Sequence, residues 1–192
     1  VPDISLYDNF LNSMKKYPNH NAIDYFGTKI TYKDLASKVD LCAKAFLSYG
    51  IRKNDVVTIC MPNTPEGVIS FLALNKIGAI SNMIHPLASM NEIKNDLTET
   101  GSVMMVLIDV DYEKIKDIMN DTEVYKIIIV RASDSMPFLM KIGYNLTAGK
   151  KTRLPKRNSK YISWHEFMKN ADTYQNDYHY IGKKNTPAVM LH

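Results

Sequence analysis

Residues 56–84 read VVTICMPNTPEGVISFLALNKIGAISNMI, and the fold is decided within this stretch. It opens on VVTICM, residues 56–61, a nearly continuous apolar run suited to a strand covered on both faces. Thr64 follows as a candidate N-cap, and Pro65 takes the first helical position, where its missing N–H costs nothing. Val68, Phe71, Leu72 and Leu74 carry the helix to Gly78, and residues 79–84 are again strand-like. Two strands separated by a helix of about ten residues or more cannot be a hairpin. They are expected to run parallel, joined by a right-handed crossover.

The same alternation extends outward. Upstream, residues 6–14 form a short amphipathic helix ahead of Pro18, and residues 22–26 and 29–31 form a hairpin turning at Gly27. Thr31-Tyr32-Lys33-Asp34 resembles a capping box and opens a helix with Leu35, Val39, Cys42, Ala43, Phe46 and Leu47 at its apolar positions, closing at Gly50. Downstream, Ser89-Met90-Asn91-Glu92 is a Ser-x-x-Glu box for a helix that stops at Gly101. A strand is expected at 103–108, a helix at 111–120 with Asp111 as its N-cap, and a further strand at 125–130.

After Val130 the pattern loosens, with helices expected at 136–143 and 163–170 and a strand at 188–191. The whole predicts an α/β fold, a layered and mostly parallel sheet with helices on both faces. Within residues 1–192 it divides into an α/β core at 1–135, a helical and basic excursion at 136–187, and the start of a strand at 188–192.

Composition narrows the function classes. With 192 residues, 45% of them hydrophobic, the chain can bury a real core, and 23% charged residues argue against wholesale disorder. No apolar run approaches the roughly 20 residues that a membrane span needs. VPDISLYDNF has neither a basic n-region nor an apolar h-region, so a cytoplasmic location is expected. Cys42 and Cys60 lack CxxC or metal-ligand spacing and read as buried reduced thiols. Asn145-Leu146-Thr147 matches a glycosylation sequon, which carries little weight without an export signal. Residues 150–160, KKTRLPKRNSK, hold six basic residues and no acidic one. The run contains no aromatic residue either, so it reads as a solvated connection and not as a nucleic-acid surface.

Parallel sheets bind ligands at the carboxyl ends of their strands. None of the eight glycines belongs to a GxGxxG, and GxxxxGK[ST], GxSxG, HExxH and Cys/His clusters are all absent. His85 alone among the five histidines directly follows a strand, just before Pro86, which makes it either a ligand contact or a turn residue. Read from the residues alone, the chain has a fold class but no catalytic residue and no metal site.

Four stretches resemble the amino-terminal half of the adenylate-forming, AMP-binding superfamily of acyl-CoA synthetases, luciferases and peptide-synthetase adenylation domains. The first is Ile30-Thr31-Tyr32-Lys33-Asp34-Leu35, followed by Leu47-Ser48-Tyr49-Gly50-Ile51 and Asn54-Asp55-Val56-Val57. The second is Met61-Pro62-Asn63-Thr64-Pro65-Glu66. The third, Leu74-Asn75-Lys76-Ile77-Gly78-Ala79-Ile80, runs on into Pro86-Leu87 and Glu92-Ile93. The fourth is Pro187-Ala188-Val189-Met190-Leu191-His192, a strand that in the family leads into a Ser/Thr/Gly-rich phosphate loop.

The resemblance implies ATP-dependent adenylation of a carboxylic acid, followed by thioester formation with coenzyme A and release of AMP. ATP, Mg²⁺ and coenzyme A are the implied cofactors of the full-length enzyme, with none expected to bind tightly to this piece. The implied partner is the remainder of its own chain, and the piece alone is expected to be inactive because the family's phosphate-binding groups lie downstream. The loop that faces coenzyme A in acetyl-CoA synthetase-like relatives corresponds here to His85, Pro86 and Leu87. A stand-alone flavodoxin-like or Rossmann-like binding module is the alternative expectation.

Overall fold

Local capping chemistry sets the helix boundaries. In the computed structural model, which describes residues 4–147, 149, 160–176, 178–180 and 187–191, the Thr31 side chain accepts from Asp34 N–H at 3.1 Å and opens α2, Tyr32–Ser48. Thr64 accepts from Gly67 N–H at 3.3 Å and opens α3, Pro65–Ile77, with Pro65 in its first turn. Ser89 and Glu92 exchange both bonds of a capping box at the start of α4, Met90–Thr100. Such caps each contribute about 1 kcal/mol. They fix where the chain enters each helix.

These helices belong to a longer series. Ahead of α2 lie α1 (Leu6–Lys16) and an antiparallel hairpin of β1 (Asn21–Tyr25) and β2 (Thr28–Thr31). The hairpin turns at Phe26 and Gly27, both with positive φ, as a tight two-residue turn requires. Next come β3 (Val56–Cys60), β4 (Ile80–Ile84), β5 (Met104–Ile108), the one-turn α5 (Tyr112–Ile115), β6 (Lys126–Val130) and α6 (Phe138–Leu146). β7 (Tyr161–Ser163), α7 (Trp164–Lys169) and β8 (Val189–Leu191) complete the series.

Six strands form one parallel sheet in the order β7-β6-β5-β3-β4-β8. The chain steps from β3 to β4 in one direction and returns past β3 to reach β5. With right-handed crossovers, that reversal puts α3 and α4 on opposite faces. Alternate residues of the strands obey the same division. Val57, Ile59, Met104 and Val106 join the core beneath α2, α3 and α7, whereas Cys60, Met105, Leu107 and Ile127 join the core beneath α4 and α5. Helices cover both faces, as the sequence predicts. Phe46 and Leu74 on the first face are wholly buried, and truncating Leu74 to alanine would cost about 2–5 kcal/mol.

Several polar groups inside this core are paired across elements. Asn82 of β4 donates to Thr58 of β3 at 2.9 Å and to the buried Asp96 of α4, and Thr58 is bonded in turn to Ser102. On the other face the buried Lys76 ammonium lies 2.8 Å from Asp40, which also accepts from the Tyr7 hydroxyl at 3.0 Å. Residues 178–180 close over the same corner. His179 Nε2 is 2.9 Å from the Asp8 carboxylate, Tyr180 N–H donates to Lys76 O at 2.8 Å, and Lys53 Nζ stands 4.4 Å from the Tyr180 ring centre.

Three sequence expectations need correction or limits. The helix expected at 111–120 is broken into a 3₁₀ turn at Asp109–Asp111, the single turn of α5, and a second 3₁₀ turn at Met119–Asp121. Asp111 is not its N-cap, because its backbone is already helical (φ −92°, ψ −5°) and its side chain makes no capping bond. The helix expected at 136–143 runs instead over Phe138–Leu146, since Pro137 stands at its entrance. Residues 150–159 of the basic run and His192 lie outside the described residues.

Candidate functional site

The carboxyl ends of β3, β4 and β8 lie side by side, with Cys60 opposite Ile84 and Met83 opposite Leu191. The chain leaves β4 through His85, Pro86 and Leu87, and the structure brings these three residues into one tight turn. His85 Nδ1 accepts from Leu87 N–H at 3.1 Å, and His85 O accepts from Ala88 N–H at 2.9 Å. Lys114, on α5, donates to Pro86 O at 3.1 Å and ties the turn to the sheet's other face. Because Nδ1 is an acceptor here, the ring proton of neutral His85 belongs on Nε2. Leu87 is 85% exposed at the tip.

His85 and Leu87 stand between two clefts. One, of about 530 Å³, lies between the β3 and β4 ends and is lined by Met61, Pro62, Asn63 and Met83 together with the turn. Among the described residues, no acidic one lines it. The other, of about 570 Å³, runs along α4 and presents Glu92, Asp96 and Glu99. A ligand rich in phosphates is repelled from the α4 cleft and meets no such opposition in the β3–β4 cleft.

Two buried acids brace the same end of the sheet. The Glu66 carboxylate, in the first turn of α3, accepts a hydrogen bond from the Ser135 hydroxyl in the loop after β6. Burial pushes the Glu66 carboxyl above its ordinary range, and the Ser135 bond offsets part of that rise. Asp109, just after β5, accepts from Ala132 N–H at 3.1 Å, and burial raises it as well. Together they tie the loops after β3, β5 and β6 to one another. Sequence reasoning quoted Glu66 only as part of a motif and assigned it no partner. Its pairing spans 69 residues of sequence, and no local signal reveals it.

Neither cysteine is poised for chemistry. Cys60, at the end of β3, is pushed up to about 12, chiefly by burial and further by the nearby Asp111 carboxylate. Cys42 is raised by burial alone, against a smaller lowering by Ser70. Among the described residues, no three His, Cys, Asp or Glu side chains come together in a way that could hold a metal ion. No helix among them is long and apolar enough to cross a membrane.

The same frame exists in proteins of known kind. The chain is 26% identical over 154 residues to the long-chain-fatty-acid–CoA ligase of Bacillus subtilis, a match that covers 80% of this chain and 28% of that enzyme. Its fold superposes on a long-chain-fatty-acid–CoA ligase from Archaeoglobus fulgidus with a TM-score of 0.73 at 16% identity, covering 99% of this chain and 34% of the other. The N-terminal subdomain of NpsA from Klebsiella oxytoca matches with a TM-score of 0.63 at 18% identity, over 97% and 37% of the two chains. The chain therefore spans roughly a third of the proteins it matches, and the strand–helix frame at 56–84 lies inside a family match, described as AMP-binding enzyme, that runs over residues 10–180. The chain belongs to the AMP-binding enzyme family.

Proposed function

We propose that this chain is the amino-terminal scaffold of an AMP-forming acid–thiol ligase. The whole protein activates a carboxylic acid with ATP and passes the acyl group to coenzyme A, and it works in the cytoplasm. One observation carries the reading. β8 lies parallel to β4 with Leu191 opposite Met83, so sequence continuing from β8 emerges beside the His85–Leu87 turn. A phosphate-binding loop placed there would share one edge of the sheet with the acid-free cleft.

In this proposal coenzyme A passes over His85, Pro86 and Leu87, and bound coenzyme A supplies the thiol that accepts the acyl group. The turn's two internal hydrogen bonds and the Lys114 anchor hold its shape before any ligand arrives. His85 can present its Nε2 hydrogen to an acceptor on the ligand, and Leu87 offers apolar surface to the uncharged arm of the cofactor. No residue of this chain is assigned to ATP or Mg²⁺, whose partners belong to the remainder of the polypeptide. The chain alone is accordingly inactive.

Acid-dependent exchange of pyrophosphate into ATP tests the reading. The full-length protein should show exchange with some carboxylic acid, and residues 1–192 alone should show none. Exchange by the isolated piece would refute the scaffold role, and failure of the full-length protein across short, aromatic and fatty acids would refute the ligase. A stand-alone flavodoxin-like or Rossmann-like binding module has no specific observation in its favour.

A further inference from the structure

Asn63 is a polar residue that the fold does not employ. It sits between the end of β3 and the start of α3, exposed, on the wall of the β3–β4 cleft. An asparagine at such a junction ordinarily caps the helix or takes a left-handed backbone. Here the neighbouring Thr64 caps α3, and Asn63 has no positive φ. Its side-chain amide makes no hydrogen bond to another described residue. Other asparagines show the contrast. Asn54 turns the chain with φ +70°, Asn75 accepts from Tyr7 N–H at 2.7 Å, and Asn82 donates to Thr58.

The backbone that carries this amide is nevertheless held in place. Pro62 O accepts from Thr64 N–H at 2.7 Å, which pins the chain on both sides of Asn63. Gly67, in the first turn of α3, packs against the same loop: a Cβ there would stand 3.4 Å from Pro62 O and 3.5 Å from Met61 Cβ. A polar group on a fixed backbone, with its own bonding capacity unspent, is suited to meet a ligand.

The lining defines the chemistry of that ligand. Met61, Met83, Ile84 and Leu87 give the cleft apolar walls, with Asn63 on the β3 side and His85 on the β4 side as hydrogen-bonding groups. Among the described residues no Lys or Arg lines it, so it lacks the cations that pair with phosphate. A carboxamide offers both donor and acceptor, and a second amide complements both.

We infer that Asn63 is a specificity-determining residue for coenzyme A, and that the β3–β4 cleft holds the uncharged, amide-bearing pantetheine arm and not the phosphates of the nucleotide. Asn63 pairs with an amide of the arm, His85 offers its Nε2 hydrogen from the other wall, and the apolar side chains take the arm's carbon chain. The inference rests on the ligase reading and assigns which part of the cofactor this cleft reads.

The test uses the full-length protein, an acid that supports ATP–pyrophosphate exchange, and two thiol acceptors, coenzyme A and free pantetheine. Asn63→Ala should raise KM about fivefold for both acceptors and leave kcat, exchange and the melting temperature unchanged. Equal losses with the two thiols place the contact on the arm that they share. A loss with coenzyme A alone would place it on the nucleotide and overturn the assignment. Unchanged KM for both thiols would also overturn it, and is the result expected if the rest of the polypeptide fills the cleft. A parallel fall in exchange or in melting temperature would show a structural role instead. Failure of the parent protein to exchange pyrophosphate with any acid would remove the ligase reading and this inference with it, whereas normal exchange with an indifferent Asn63→Ala removes this inference alone.

Discussion

The Tyr180 ring lies so close to Gly78 that a Cβ on Gly78 would sit 2.5 Å from the ring's Cδ1. Gly78 also ends α3 with φ +74°, a conformation that side chains disfavour by about 1–2 kcal/mol. Gly101 ends α4 with φ +63°, but nothing lies within 4 Å of its would-be Cβ. Gly78→Ala should therefore destabilise the protein more than Gly101→Ala, which bears only the backbone cost. Adding Tyr180→Ala to Gly78→Ala should recover part of the difference. Urea unfolding of the four proteins measures it, and equal losses at the two glycines would show that the Tyr180 contact is energetically empty.

Glu66 gives the protein a pH dependence of definite sign. Its folded-state carboxyl is raised by burial, so above the unfolded value the native state holds a proton that the unfolded chain has released. Its contribution to stability is therefore full at acid pH and is lost as pH rises through the folded value. Glu66→Gln keeps an oxygen for the Ser135 hydroxyl and removes the ionisation. The variant should be more stable than the parent at pH 7.5 and gain less at pH 4.5. A gain that is the same at both pH values would mean that ionisation of Glu66 is not the cause.

His85 should matter to one half-reaction only. In the full-length protein, His85→Ala removes the Leu87 N–H acceptor and loosens the turn. KM for coenzyme A should rise about fivefold, the effect of a hydrogen bond of about 1 kcal/mol. ATP–pyrophosphate exchange, which needs no coenzyme A, should be unchanged. A parallel fall in exchange would place His85 with the adenylation chemistry instead.

The two thiols should be silent in the folded state. With Cys60 pushed up to about 12, only about one molecule in ten thousand carries its thiolate at pH 8. Cys42 is wholly buried. Iodoacetamide at pH 8 should label neither cysteine in native protein and both in urea. Rapid native labelling of Cys60 would expose an opening motion at the end of β3.

What the sequence reveals depends on how local the cause is. The strand–helix–strand run at 56–84 was legible because Thr64, Pro65 and Gly78 each act within a turn of their own position. The segment after β5 was misread for an instructive reason. Ile115, Ile118 and Met119 are buried at helical spacing, yet two 3₁₀ turns and a single α-turn bury them as well as a continuous helix would. β7 was missed because it has one buried residue, Ile162, and owes its existence to pairing with β6. The His85 turn was found from its place after a strand. The Glu66–Ser135 and Asp109–Ala132 braces were invisible, because their partners come from loops that only the folded sheet brings together.

Asn82, an amide set in the middle of β4, acts on assembly as well as on the finished fold. It faces Thr58 across β3 and β4, where the two residues are register partners as well as hydrogen-bond partners. Slipping β4 by one residue would turn the amide to the α3 side of the sheet, away from Thr58 and Asp96, at about 1–3 kcal/mol for the polar group left unmatched. Apolar residues would tolerate that slip. The amide thus proofreads the pairing: a misaligned sheet carries a penalty that only the correct alignment removes.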